Sequence, residues 1–245
     1  IRNLDRALVE RVNDLRATLN WCRNANQRGE FEGRLDLDNI GLSGRSFGGL
    51  TTLVALEMEP LFKAGFAVVP APMPEIELNV VLRFLLSWGQ ESALFGLGRQ
   101  NGAQHFYKPT AIIVGAEDKL LIDMTRTYAE TLGDTKPSAD NRYPALNRTH
   151  HNAEVPAYMF SLNNSNHGSL AVAGPYWWPE LKPMQFPRNF PPGETYQLIN
   201  SDLAHAIQRQ RVLAFFDIYL KNLPRKSALL AEDQQNLTID ARNSD

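Results

Sequence analysis

The stretch from Leu35 to Gly49, LDLDNIGLSGRSFGG, constrains this chain more than any other. Ile40 to Ser43 is a short apolar run that reads as a buried strand, Gly44 to Gly49 breaks it, and Leu50 to Leu61 reads as a helix. Within the break, Gly44-Arg45-Ser46-Phe47-Gly48 places a glycine two residues before and two residues after a serine. A strand that turns at once into a helix crowds those two positions, so side chains there would collide. The same turn lifts the serine hydroxyl above the C-terminal edge of the sheet, where ligands bind in open α/β folds. It also aims the backbone N–H of Phe47 at the place where a negative oxygen would develop. A Gly-rich strand-to-helix turn without chemistry carries the same glycines. The strand before, the helix after and the third glycine, Gly49, favour a nucleophile at Ser46.

The rest of the chain alternates in the same way. Leu4, Leu8, Val12, Leu15, Leu19 and Cys22 form one apolar stripe, predicting a helix over 1–28. Strands are expected at 62–69, 110–114 and 157–162, and helices at 119–133 and 202–220. Residues 134–155 read as a polar loop. Residues 76–98 read as two apolar helices and 174–195 as a proline-rich aromatic segment. The domain runs over 1–223, and residues 224–245 read as a polar tail that frays. This is the order of an α/β fold with a mostly parallel sheet.

A serine hydroxyl needs a base to take its proton, and the base needs a carboxylate to orient it. In this architecture the order along the chain is serine, acid, histidine. Asp118 ends the turn GAED after the strand AIIVG, and His167 follows the strand AYMFSL. Both stand just past C-terminal strand ends, on the edge that carries Ser46. Each has rivals. Glu117 adjoins Asp118 and could be the acid, whereas Asp123 reads as a solvated helix residue. His105 precedes a strand and lies near the wrong edge. His150 and His151 read as loop surface, and His205 as a partly buried helix residue.

Composition removes other classes. Lys+Arg number 25 against 27 Asp+Glu in 245 residues, a net charge of −2, so nucleic acid is a poor partner. Cys22 is the one cysteine, which excludes an intrachain disulfide or a Cys-rich zinc site. No run approaches the ~18 apolar residues of a membrane span. No His/Asp/Glu group has convincing ligand spacing, so neither a metal nor an organic cofactor is expected. Sequons at Asn147, Asn163 and Asn236 matter only in a eukaryotic secretory setting.

Four segments carry a resemblance: LDLDNIGLSGRSFGG, PTAIIVGAEDKL, SNHGSL and VLAFFDIYLKN. Through them the chain resembles the α/β-hydrolase superfamily. Within it the chain resembles the dienelactone-hydrolase-like and platelet-activating-factor-acetylhydrolase-like serine esterases. The resemblance implies Ser46, Asp118 and His167 as a triad, acting on a small-molecule ester. Two departures stand out. The dienelactone hydrolases proper use a cysteine nucleophile where this chain has Ser46, and Arg45 stands where these esterases usually carry His or Tyr. A secreted or periplasmic location is favoured by the resemblance alone.

The resemblance also implies about eight strands, of which four are legible here. The expectation is therefore that an upstream N-terminal segment of the same product, attached or cleaved, supplies the rest and the second oxyanion donor. Residues 74–104 fall where this superfamily inserts a cap. Trp88 and Phe95 within them, with Trp177 and Trp178 after the histidine, are candidate walls of an apolar or aromatic ester pocket; a plain core helix pair would look the same. Two other readings stand beside the esterase: a serine peptidase of prolyl-oligopeptidase type, and a non-catalytic hydrolase-fold binding protein.

Overall fold

The computed structural model describes residues 2–71, 106–132, 137–138, 141–171 and 198–244. Their elements, in chain order, are α1 (Arg2–Arg28), β1 (Ile40–Arg45), α2 (Phe47–Met58), β2 (Phe62–Val68), β3 (Thr110–Gly115), α3 (Lys119–Leu132), α4 (Pro144–His151), β4 (Ala157–Leu162), α5 (Ser201–Lys221), α6 (Lys226–Leu229) and β5 (Leu237–Arg242). The two expected helices over 76–98, the cap-like stretch 74–104 and the segment 174–195 lie wholly or almost wholly outside the described residues.

The strands form one sheet in the order β1-β2-β3-β4-β5. β1 to β4 run parallel, with Leu42 opposite Gly65, Ala67 opposite Ile112 and Ile112 opposite Met159. β3 is buried at every position, the mark of a central strand covered on both faces. A Cβ placed on Gly41 would strike Phe216 of α5 at 2.5 Å, whereas one on Gly65 would strike Leu56 of α2 at 2.8 Å. Gly41 pairs with Ala64, so Gly65 faces the other way. Hence α2 and α5 cover opposite faces. Under α5, Phe66, Tyr158, Phe160 and Phe215 pack as one aromatic cluster, with Phe66 edge-on to Phe215 at 5.7 Å. On the other side Leu8, Val9, Val12 and Leu19 of α1 bury against Leu50, Val54 and Leu56 of α2. Leu8, Val12 and Leu19 belong to the stripe read from sequence, Leu15 packs there half-buried, and Val9 widens it.

Two expectations change. Residues 144–151 are helical, not loop: Pro144 sits in the first turn of α4, where its fixed φ and missing N–H are tolerated, so it starts a helix. The tail beyond 223 does not fray. Its α6 is held by buried Arg211, which donates to the carbonyls of Ala228, Leu229 and Ala231. Its β5 pairs antiparallel with β4, with Leu162 opposite Leu237 and Phe160 opposite Ile239. Leu237, Ile239 and Ala241 alternate with polar residues, the period of a half-covered edge strand. No helix among the described residues is long and apolar enough to cross a membrane.

Candidate active site

Ser46 closes β1 and opens α2 in a backbone conformation, φ 56° and ψ −120°, that an L-residue other than glycine seldom takes. Such a residue stores about 1–3 kcal/mol, held by its surroundings. Its N–H donates to the Val68 carbonyl at 2.9 Å, and its own carbonyl accepts from Leu50 and Ala71, each at 3.0 Å. A serine at a helix N-cap usually accepts a bond from the first turn through its side chain. Ser46 makes no such bond, so among the described residues its hydroxyl is not spent on capping α2. Phe47 is the first residue of α2, so its N–H is among the donors that lack an intrahelical acceptor. The Arg11 guanidinium lies 5.0 Å from the centre of the Phe47 ring.

The glycines divide differently from the sequence argument. A Cβ on Gly44 would lie 2.3 Å from the Gly48 carbonyl oxygen, so strand and helix touch there through bare backbone. A Cβ on Gly49 would meet Pro70 and Val68 at 3.0 Å. A Cβ on Gly48 would meet nothing within 4 Å among the described residues. The close approach belongs to Gly44 and Gly49.

Asp118 is fully buried in the turn between β3 and α3. Its Oδ2 lies 2.8 Å from Nδ1 of His167, and its Oδ1 accepts the Leu121 N–H at 3.1 Å, capping α3. The turn is fastened to the histidine loop by Ala116 N–H to Leu162 O and Glu117 N–H to Ser165 O, at 2.9 and 2.8 Å. From beneath, buried Tyr143 donates to Gly115 O at 2.5 Å, and Arg142 donates to Ala116 O. Burial and the Asp118 charge together push the Tyr143 hydroxyl far above its ordinary range, so it stays a donor.

His167 follows β4 in a loop built on Asn166. The Asn166 Oδ1 accepts from the N–H groups of Gly168 and Ser169, at 2.9 and 3.0 Å, and Ser169 Oγ receives the Asn166 N–H. Arg45, the residue before the elbow serine, donates from Nη2 to the His167 carbonyl. Burial pushes the Arg45 guanidinium down, opposed by the Asp118 charge. Among the described residues no hydrogen bond joins the Ser46 hydroxyl to the His167 ring; such bonds are often long without substrate.

The rivals stand elsewhere. Glu117 pairs with Arg142 at 3.0 Å and does not face the imidazole; burial raises its carboxyl and Arg142 opposes that. Asp123 pairs with Lys119 and Arg126 along α3. His150 is not on the surface as expected: it is 1% exposed, with Nε2 3.4 Å from Asp240 Oδ2 in an approach that falls short of hydrogen-bond geometry. His151 is exposed and bonds back to Asn147 O at 2.7 Å. His205 lies on α5, its Nε2 buried without a partner among the described residues. His105, Trp88, Phe95, Trp177 and Trp178 lie outside the described residues.

Sequence reasoning marked Arg45 only as a departure, without its contact, and missed the other supports: Arg142, Tyr143 and the Asn166–Ser169 turn. Only the last left a local signal, an asparagine with Gly-Ser two and three residues on, the composition of a side-chain-closed turn. The others act across distances in sequence that no pattern reports.

The model of the prolyl oligopeptidase family matches residues 12–73, which hold most of α1, then β1, the elbow, α2 and β2. No curated protein sequence matches the chain. Among solved structures, a ferulic acid esterase from Streptomyces cinnamoneus is similar at a TM-score of 0.52 and 17% identity. The match covers 95% of this chain and 53% of that one, so this chain spans about half the length of that structure. The shared architecture is the α/β-hydrolase fold.

Proposed function

We propose that this chain, an α/β-hydrolase by fold, is a serine hydrolase that cleaves carboxylic esters bearing an apolar or aromatic group. One observation carries the reading. The buried His167–Asp118 bond of 2.8 Å lies in a loop joined to the very strand whose last turn carries an uncapped, positive-φ serine. The Ser46 Oγ attacks the ester carbonyl carbon while His167 Nε2 takes the hydroxyl proton. Asp118 holds the Nδ1–H and stabilises the imidazolium. The Phe47 N–H receives the charge on the tetrahedral oxygen. Collapse breaks the bond to the alcohol, which leaves with the proton from His167. Water, deprotonated by the same ring, then releases the acid and restores Ser46.

The aromatic preference is supported by the sequence, which offers Trp88, Phe95, Trp177 and Trp178 as candidates for a pocket wall, and the structural neighbour is named for ferulic acid, an aromatic acid. Amide cleavage is the second reading, favoured by the prolyl oligopeptidase family match over the elbow. The oxyanion also needs a second donor, and the loss of one costs ~2.7–4 kcal/mol in a related setting. Among the described residues β1 pairs with β2 alone. A strand outside these residues, from an upstream segment of the same product, attached or cleaved, fits that free edge, and its following loop would carry the donor.

A fluorophosphonate probe should label the protein and fail to label Ser46→Ala, with ester turnover down by about 10³-fold or more. Labelling that survives in Ser46→Ala refutes the nucleophile. A panel of p-nitrophenyl esters against prolyl and aminoacyl amides separates esterase from peptidase. Absence of labelling in the parent would favour the binding-protein reading.

A further inference from the structure

We infer that Arg45 is a positioning residue that ties the nucleophile elbow to the loop of the base, and so sets the separation of Ser46 and His167. The inference rests on the proposed Ser46–His167–Asp118 chemistry and adds a member acting through another residue.

The sheet itself poses the difficulty. Ser46 ends β1 and His167 follows β4, three strand spacings away, or about 14 Å. Asp118, from the end of β3, can hold the ring of His167 but makes no hydrogen bond to the elbow among the described residues. The elbow is fixed to β2 through Val68, and the histidine loop to the acid turn through Ser165. Neither set of bonds fixes the distance between elbow and base. Among the described residues, one hydrogen bond joins residues 44–48 to residues 163–171, and it is Arg45 Nη2 to the His167 carbonyl, across 122 positions of sequence.

The acceptor matters as much as the donor. It is the main-chain carbonyl of His167 itself, so the tie acts on the residue whose ring must reach Ser46. The donor belongs to the residue next to Ser46. A shift of either partner is therefore felt directly in the Ser46–His167 separation, where a misplacement of 1 Å can cost about a hundredfold in rate. Only a long, forked side chain reaches over the sheet edge; the Arg45 Nε is buried and has no partner among the described residues, so the contact is made at the tip. This gives Arg45 a task that the His or Tyr of the similar esterases could not perform by the same bond.

The test is steady-state kinetics on a p-nitrophenyl ester and fluorophosphonate labelling rates, for the parent, Ser46→Ala, Arg45→Met and Arg45→Lys, with melting curves for each. Arg45→Met should lower kcat by about ten- to a hundredfold, with KM within about threefold, and slow labelling in proportion. Arg45→Lys keeps the charge but shortens the reach; it should recover part of kcat. A kcat within twofold of the parent in a folded Arg45→Met would overturn the inference. Should Arg45→Met fail to fold, Arg45→Lys decides: parental kcat there overturns it, and a loss of about three- to tenfold supports it. Activity that persists in Ser46→Ala refutes the underlying chemistry instead, and the two failures are thereby told apart.

Discussion

Asp118 divides its two oxygens between two tasks, and the division can be separated experimentally. Oδ2 faces the imidazole and Oδ1 caps α3. Asn caps a helix as well as Asp does, but its amide favours the wrong histidine tautomer. Asp118→Asn should therefore keep its Tm near the parent while kcat falls by about 10³–10⁴-fold. Asp118→Ala should add a further loss of about 0.5–2 kcal/mol in stability from the missing cap; chemical denaturation of the pair measures the difference. His150 makes a second, non-catalytic prediction. Burial lowers its folded-state pKa below the ordinary ~6.5, against the pull of Asp240. Its contribution is thus fully present above pH ~6.5, and is lost as pH falls from there through the folded value, because the unfolded chain takes up the proton first. Glu57, pushed up by burial to about 7, has the opposite slope. Thermal melts of parent and His150→Leu between pH 8 and 5 isolate the histidine: the parent should lose more on acidification. Equal slopes would show that His150 does not titrate as its burial implies. At this scale position after a strand singled out Ser46, Asp118 and His167, the residues proposed to carry the chemistry. Arg45 stood out only as a departure from the resembling esterases; nothing local marks its partner, 122 residues away.

Elements were legible where their period was long and uninterrupted. The α1 stripe, the central strands and α5 are of that kind, since buried faces demand repetition. Two elements hid. Pro144 reads as a breaker unless its place in the first turn is known, and β5 carries three apolar residues among polar ones in an otherwise polar tail. In both, tertiary partners rather than intrinsic preference decide the state. The β1–α2 junction gives the sharpest element-scale test, because its glycines are not equivalent. Gly44→Ala drives a methyl into the Gly48 carbonyl and should destabilise the protein by about 1–3 kcal/mol, with most of the activity lost. Gly48→Ala meets open space at a helical position, where alanine is favoured over glycine by up to about 1 kcal/mol, and should melt at or above the parent temperature. A Gly48→Ala protein as crippled as Gly44→Ala would contradict this division of roles.

The sheet has unlike margins. β5 lies on one side as an antiparallel strand, whereas on the other side β1 has no partner strand among the described residues for its outer row of N–H and C=O groups. Unpaired backbone of this kind is costly when covered by apolar neighbours and invites pairing when exposed. If an upstream strand occupies that margin in the natural product, hydrogen exchange in the protein purified from its source should protect the outward amides of 40–45 as strongly as those of β2, and its intact mass should show the added segment or a companion chain. Rapid exchange there, with a mass near 27.6 kDa, counts against such a strand. The spatial order of the strands is also their order along the chain, and that has a kinetic side. Among the described strands each docks beside the one made just before it, so none must wait for a strand further along than the next. The serine, the acid and the histidine are delivered in that same succession. In refolding, far-UV signal should therefore recover before reactivity towards a fluorophosphonate, since on the proposed mechanism Ser46 gains its base, His167, only when the fourth strand and its loop have settled.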